Sequence, residues 1–163
     1  MTPAGVPELR VGQGIDVHRF SGDPERPLVL GGVRIEGTPG LEGHSDADAA
    51  AHACADALLG AAGLGDIGQH FPDTDPTWAG ADSMALLAEV TRRVEEQGWR
   101  VANVDCTVVC DVPRLAPHRD AMVARLSEAV GAPVSVKATR PEALGALGRS
   151  EGILALAVAL VVR

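Results

Sequence analysis

Ile153-Leu154-Ala155-Leu156-Ala157-Val158-Ala159-Leu160-Val161-Val162, near the carboxyl end of the 163-residue chain, alternates large and small side chains. Successive side chains of a strand point to opposite faces. Leu154, Leu156, Val158, Leu160 and Val162 therefore share one face, and Ala155, Ala157 and Ala159 the other. The run predicts a buried strand with one bulky and one flat face. A flat alanine face suits close packing against a helix layer or a second subunit. The run is too short for a membrane span, which takes about 20 residues.

Working back from that strand, Val134–Thr139 reads as a strand and Leu115–Val130 as a helix with Met122, Val123, Leu126 and Val130 inward. Val101–Asp111 alternates, with Val104, Cys106, Val108 and Cys110 against Asn103, Asp105, Thr107 and Asp111, so it is a strand too. Ser83–Gln97 carries Leu86, Leu87, Val90 and Val94 on one helical stripe and stops at Gly98. Asp66–Gly80 reads as a loop with Pro72 and Pro76. Ser45 to about Gly60 reads as a helix capped by Ser45 or Asp46, with acidic residues in its first turn. Leu28–Leu30 and Val33–Ile35 flank Gly31-Gly32 as a hairpin. Arg10–His18 is a strand that Gly12 and Gly14 threaten to break. This order predicts an α/β (α+β) fold: a mixed four- to five-stranded sheet with helices on one face, forming one domain over residues 1–163. The other face needs cover, and self-association is the simplest way to supply it.

Composition narrows the function. Aromatics are only 2% of residues, so no broad base-stacking platform is available. The net charge of −8 disfavours a nucleic-acid partner. Any phosphorylated ligand must find its positive potential in metals, arginines or backbone N–H groups. Cys54, Cys106 and Cys110 form no CxxC pair and read as packing residues. Met1–Arg10 lacks the layout of a signal peptide, and the expectation is a cytoplasmic protein without a membrane partner. Gly12-Gln13-Gly14 is not followed by the third glycine of a dinucleotide fingerprint, and no GxSxG or Walker A motif occurs.

Two clusters carry the chemistry. In Asp16-Val17-His18, a carboxylate and an imidazole two residues apart on a strand point the same way. The plain alternative is an aspartate that orients a surface histidine. In Gly43-His44-Ser45-Asp46-Ala47-Asp48-Ala49-Ala50-Ala51-His52, ionisable groups open a helix. Asp48, His52 and Asp56 share a stripe there, and a carboxylate of this group is expected to hold the second ring nitrogen of His52. The alternative is a solvated acidic helix start. Together Asp16, His18 and His52 offer an O/N/N set with one position open, the pattern of a catalytic zinc site.

These blocks, with Asp56-Ala57-Leu58-Leu59-Gly60, Gly65-Asp66-Ile67-Gly68, Phe71-Pro72-Asp73-Thr74-Asp75 and Gly152-Ile153, resemble the 2-C-methyl-D-erythritol 2,4-cyclodiphosphate synthase family from about Arg10 to the carboxyl end. The resemblance implies a homotrimer with active sites between subunits. The implied substrate is 4-diphosphocytidyl-2-C-methyl-D-erythritol 2-phosphate, whose 2-phosphate attacks its own β-phosphorus and releases CMP. It implies one Zn²⁺ per site on Asp16, His18 and His52, and a second divalent ion, Mg²⁺ or Mn²⁺, on the diphosphate with help from Glu142. Asp16, Val17 and His18 also fall among the substrate-binding positions. His44 and Ser45 would contact the phosphate end, with His44 and Arg140 as the catalytic candidates. Asp66, Ile67, Gly68, Phe71, Pro72, Asp73, Thr74 and Asp75 would hold the methylerythritol moiety. Cys110, Asp111, Val112, Pro113, Arg114, Leu115 and Ala116 match a cytidine pocket supplied by a neighbouring subunit. Thr139, Arg140, Pro141 and Glu142 would line the diphosphate, and Ala146 and Arg149 lie toward the trimer axis, Arg149 paired with Glu151.

The chain departs from the family pattern in one stretch. The family reads Ala-Thr-Thr-Thr-Glu-x-Leu-Gly-Phe-Thr-Gly-Arg where this chain has Arg140 and Pro141 for the second and third threonines and Ala146 for the phenylalanine. Arg140 either neutralises phosphate more strongly than a hydroxyl or obstructs the site. Two other functions fit the residues: a zinc phosphoesterase acting with water, and a trimeric binding protein without catalysis.

Overall fold

The computed structural model describes residues 5–163; the first four residues of the stretch read for a targeting signal lie outside it. Its centre is a four-stranded sheet in the order β1 (Leu9–Arg19), β6 (Gly152–Val162), β4 (Arg100–Val109), β5 (Val134–Thr139). Only β4 and β5 are parallel; β6 runs antiparallel to both of its neighbours. The sheet is thus mixed, as expected. A separate hairpin, β2 (Leu28–Leu30) and β3 (Val33–Ile35), turns through Gly31 and Gly32, both at positive φ. Such a two-residue turn favours residues without a β-carbon.

Glycines 12 and 14 do not break β1; they admit a helix. Strand register places Gly12 beside Ala159 and Gly14 beside Ala157, and Ala157 beside Cys106 of β4. This row of small residues faces α1 (Ala49–Ala62), itself rich in buried alanine. A β-carbon on Gly12 would lie 2.0 Å from the Ala57 carbonyl oxygen, and one on Gly14 1.9 Å from that of Ala53. Backbone meets backbone there, and any side chain on the strand would push the helix away.

The flat face of β6 is therefore the buried one. Ala155, Ala157 and Ala159 are fully covered by α1, whereas Leu154, Leu156 and Leu160 are only half-buried and Val158 is exposed. With Val11, Ile15 and Val17 of β1 they form an uncovered apolar face in the single chain.

The helices differ from the sequence expectation at their starts. α1 begins at Ala49, capped by Asp48 and not by Ser45 or Asp46, and no acidic residue lies in its first turn. Asp48 is fully buried and accepts N–H bonds from Ala51 (3.0 Å), Gly31 (2.8 Å) and Gly32 (2.7 Å). One carboxylate thus caps the helix and ties the hairpin to it. The 66–80 loop contains a short helix, α2 (Ile67–His70), and a 3₁₀ turn at Pro76–Trp78. α3 (Ser83–Glu96) starts as expected, capped by Asp82, with Leu86, Leu87, Val90 and Val94 buried. α4 starts at Arg119 rather than Leu115, because Pro117 and the turn before it are not helical. A short α5 (Gly145–Gly148) precedes β6. β4 carries a register shift between Val101 and Asn103, which lets both Val101 and Val104 face inward, and it ends at Val109. No helix among the described residues is long and apolar enough to cross a membrane.

Candidate metal centre and cleft

Gly12, Gly14, Asp16 and His18 alternate onto the helix-facing side of β1, so the strand that admits α1 also aims two ligand side chains at it. His52 comes from the first turns of α1. One ligand atom from each of Asp16, His18 and His52 lies within 4.8 Å of the others. Asp16 Oδ2 is 2.9 Å from His18 Nε2 and 3.3 Å from His52 Nδ1.

Proximity is not bonding here. Asp16 Oδ2 and His18 Nε2 are both buried, and neither makes a hydrogen bond of acceptable geometry. Buried polar atoms are nearly always paired, so two orphans side by side fit a shared cation. Burial alone would raise the Asp16 pKa, yet the two imidazoles hold it far below the usual carboxylate range. Burial likewise opposes the charged form of His18, and the Asp16 carboxylate outweighs it and raises the pKa. Asp16 is thereby kept in its ionised form, the one that binds a cation.

The other ring nitrogens are engaged. His18 Nδ1–H donates to the Glu42 carbonyl at 2.7 Å, which leaves the Nε2 lone pair for Asp16's side of the cluster. His52 Nε2 lies 2.8 Å from Ser83 Oγ and 3.3 Å from Ser45 Oγ. No carboxylate of the Asp48–Asp56 stripe holds it, contrary to expectation. Asp48 caps the helix, and Asp56 accepts the Ile67 N–H at 2.7 Å, fastening α2 to α1. Sequence spacing gave no hint of Ser83, which lies 31 residues from His52. Arg26, also missed, binds the carbonyls of Leu41, Gly43 and Ser45 and shapes the loop that carries His44.

The cluster heads a cleft of about 290 Å³, lined further by His44, Ser45, Ile67, Gly68, Phe71 and Asp73, all read from the sequence as site residues, and by Trp78, which was not, and Leu86, which was read only as core. Phe71 meets Trp78 edge to face with centroids 4.9 Å apart. Asp66, Pro72, Thr74 and Asp75 do not line it in the single chain. Asp66 caps α2 through the Gln69 N–H, Asp75 caps the 3₁₀ turn, and the Asp75 carbonyl lies 3.2 Å from His44 Nε2.

A second cavity, about 470 Å³, is lined by Cys110, Asp111, Pro113, Arg114, Leu115, Ala116, Thr139, Arg140 and Glu142. Val112 and Pro141 do not line it. Glu142 and Ala143 both adopt positive φ just after Pro141. A third cavity contains Val17, Ala146 and Glu151, and Arg149 pairs with Glu151 at 2.6 Å. Strand register links the first two. Val17, Leu154, Val109 and Thr139 form one row across the sheet, so both cavities lie at the same sheet end, one beside β1 and the other beside β5, strands three spacings or about 14 Å apart. Cys54 and Cys106 are buried away from the cleft and serve as packing, as read.

A one-sided mixed sheet with a carboxylate and two imidazoles converging at its end defines a metal-binding α/β protein. The chain belongs to the YgbB family, whose model matches residues 9–162. It is 54% identical over 157 residues to the 2-C-methyl-D-erythritol 2,4-cyclodiphosphate synthase of Thermosynechococcus vestitus, covering 94% of this chain and 96% of that one. It is 56% identical over 159 residues to the enzyme of the same name from Cupriavidus metallidurans, covering 96% and 94%. Among solved structures, the bifunctional IspDF of Campylobacter jejuni superposes with a TM-score of 0.91 at 41% identity, over 96% of this chain and 43% of that longer one. A structure of 2C-methyl-D-erythritol-2,4-cyclodiphosphate synthase in a CDP-bound form gives 0.83 at 41% identity, over 93% and 99%.

Proposed function

We propose that the chain, acting as one domain over residues 1–163, catalyses the reaction for which these relatives are named. It would convert 4-diphosphocytidyl-2-C-methyl-D-erythritol 2-phosphate to the 2,4-cyclodiphosphate and CMP. The observation that carries this reading is the pair of buried, unbonded atoms of Asp16 and His18 beside His52, at the head of a cleft built from the family's own motif blocks.

In this reaction a 2-phosphate oxygen of the substrate bonds to the β-phosphorus while the P–O bond to CMP breaks, and CMP leaves with the electron pair. The nucleophile belongs to the substrate, so the protein's task is to fold an anionic chain onto itself and offset its charge. Asp16, His18 and His52 would hold Zn²⁺, which when bound supplies a Lewis acid to a phosphate oxygen. Glu142 would contribute to a Mg²⁺ or Mn²⁺ on the diphosphate. His44 and Ser45 would steady the phosphate end, and Ile67, Gly68, Phe71 and Asp73 would enclose the methylerythritol, with the Asp66–Asp75 loop held around it. The Cys110–Ala116 loop would take the cytidyl end, Thr139 would line the diphosphate, and Arg140 would add a fixed positive charge beside it.

The substrate must bridge the metal cleft beside β1 and the cytidyl cavity beside β5, strands about 14 Å apart in one chain. Assembly of three copies through the uncovered apolar face would bring one copy's cleft to a neighbour's cavity, with Ala146 and Arg149 toward the axis. The enzyme would work in the cytoplasm, with no nucleic-acid or membrane partner.

The test is purified protein with the cytidyl substrate, Zn²⁺ and Mg²⁺, followed by ³¹P NMR. Cyclic diphosphate and CMP in equal amounts are expected. An acyclic hydrolysed product would make it a phosphoesterase, and no turnover with tight binding would make it a binding protein.

A further inference from the structure

Ser83 is the first residue of α3, and its hydroxyl is enclosed; the residue is 1% exposed, so water does not compete for it. Asp46 accepts both the Ser83 N–H, at 3.1 Å, and the Ser83 O–H. An ionised carboxylate can only accept, so the hydroxyl proton is committed to Asp46. The Ser83 oxygen can then only accept from His52 Nε2, 2.8 Å away. That fixes a proton on Nε2, so in the neutral ring the lone pair is on Nδ1, on the side of Asp16. The competing hydroxyl, Ser45, is farther at 3.3 Å and already accepts the Ala47 N–H.

We propose that Asp46 and Ser83 are positioning residues that hold His52 as its Nε2–H tautomer and thereby keep Nδ1 available as a metal ligand. The relay rests on reading the cluster as a zinc site. It spans three segments: the 43–48 loop, α1 and the start of α3. Ion affinity is therefore set partly by how α3 sits against α1.

The decisive comparison uses the full-length wild type, Ser83→Ala and Asp46→Asn. The Zn²⁺ dissociation constant is measured by competition with a chromophoric chelator, and the His52 tautomer by long-range ¹H–¹⁵N NMR of the metal-free protein. The wild type should show a protonated Nε2. Ser83→Ala should raise the dissociation constant about 10- to 100-fold. Asp46→Asn is nearly isosteric but reverses the relay: its amide N–H can donate to Ser83, whose hydroxyl is then free to donate to His52. The tautomer population should move toward Nδ1–H, with a comparable loss of affinity. A purely structural role for Asp46 would not move the tautomer. Wild-type affinity within twofold in both variants, with His52 unaltered, overturns the proposal. If the wild type took up no zinc, the metal-site reading would fall, while the tautomer spectra would still judge the relay.

Discussion

The two ends of the central sheet make opposite use of charge. At one end, Leu9, Val162 and Arg100 lie in one row. Beside it Trp99, 3% exposed, has two guanidinium groups over its ring, Arg10 at 4.7 Å and Arg163 at 4.3 Å from its centroid. Glu8 binds both arginines, at 2.9 and 2.8 Å, and its backbone pairs with that of Arg163. That end is electrostatically closed. At the other end, Asp16 Oδ2 and His18 Nε2 are the two buried side-chain polar atoms without a hydrogen bond among the described residues. Against an end whose charges are so completely hydrogen-bonded, two buried atoms left without a hydrogen bond fit completion by a shared cation.

Removing a ligand should break the contrast most severely. His52→Ala should lose bound zinc and reduce CMP release to background, checked by metal analysis and product assay on the same sample. Full activity in a metal-free His52→Ala protein would end the metal reading. Next in size is the apolar face. Ile15 is 54% exposed in the single chain, and Ile15→Asp should convert the proposed trimer to monomer in sedimentation velocity and take most of the activity with it. An active monomer would show that one copy's cleft suffices.

A third change tests the seam between sheet and helix. Gly14→Ala should destabilise by about 1–3 kcal/mol, the usual cost of overpacking, and weaken zinc binding too, because the helix that must shift carries His52. Urea denaturation and chelator competition report the two effects separately. The smallest effect belongs to the closed end. The hydrogen bond from Arg163 holds the Glu8 pKa below its ordinary value. A carboxylate with a lowered folded pKa contributes stability above the unfolded value, roughly pH 4.3. That contribution fades as pH falls through the folded value. Glu8→Gln should flatten this acid limb of the stability profile slightly and leave CMP release unchanged.

The sequence was most legible where a period declared itself. The alternation of Ile153–Val162 and the stripe of Leu86, Leu87, Val90 and Val94 yielded the sheet and its covering layer. Asp16, His18 and His52 were legible because strand and helix spacings aim side chains predictably. Which face of β6 would be buried was not readable, because alanines suit a helix and leucines suit a core equally well. Gly12 and Gly14 looked like breaks because the close approach they permit depends on a helix far away in sequence, at Ala57 and Ala53. Ser83 and Asp46 were illegible as a pair for the same reason: hydrogen bonds across 37 residues leave no local pattern. The true helix cap, Asp48, was lost beside two neighbours, Ser45 and Asp46, of similar capping propensity.

The contact of β1 with α1 through Gly12 and Gly14 also gauges the metal cluster. Ligand spacing in most proteins drifts as neighbouring side chains are exchanged, since repacking moves the elements that bear them. Here the separation between the strand carrying Asp16 and His18 and the helix carrying His52 is gauged by main-chain atoms in touch. The surrounding core can vary widely without retuning it, provided those two positions never acquire a side chain.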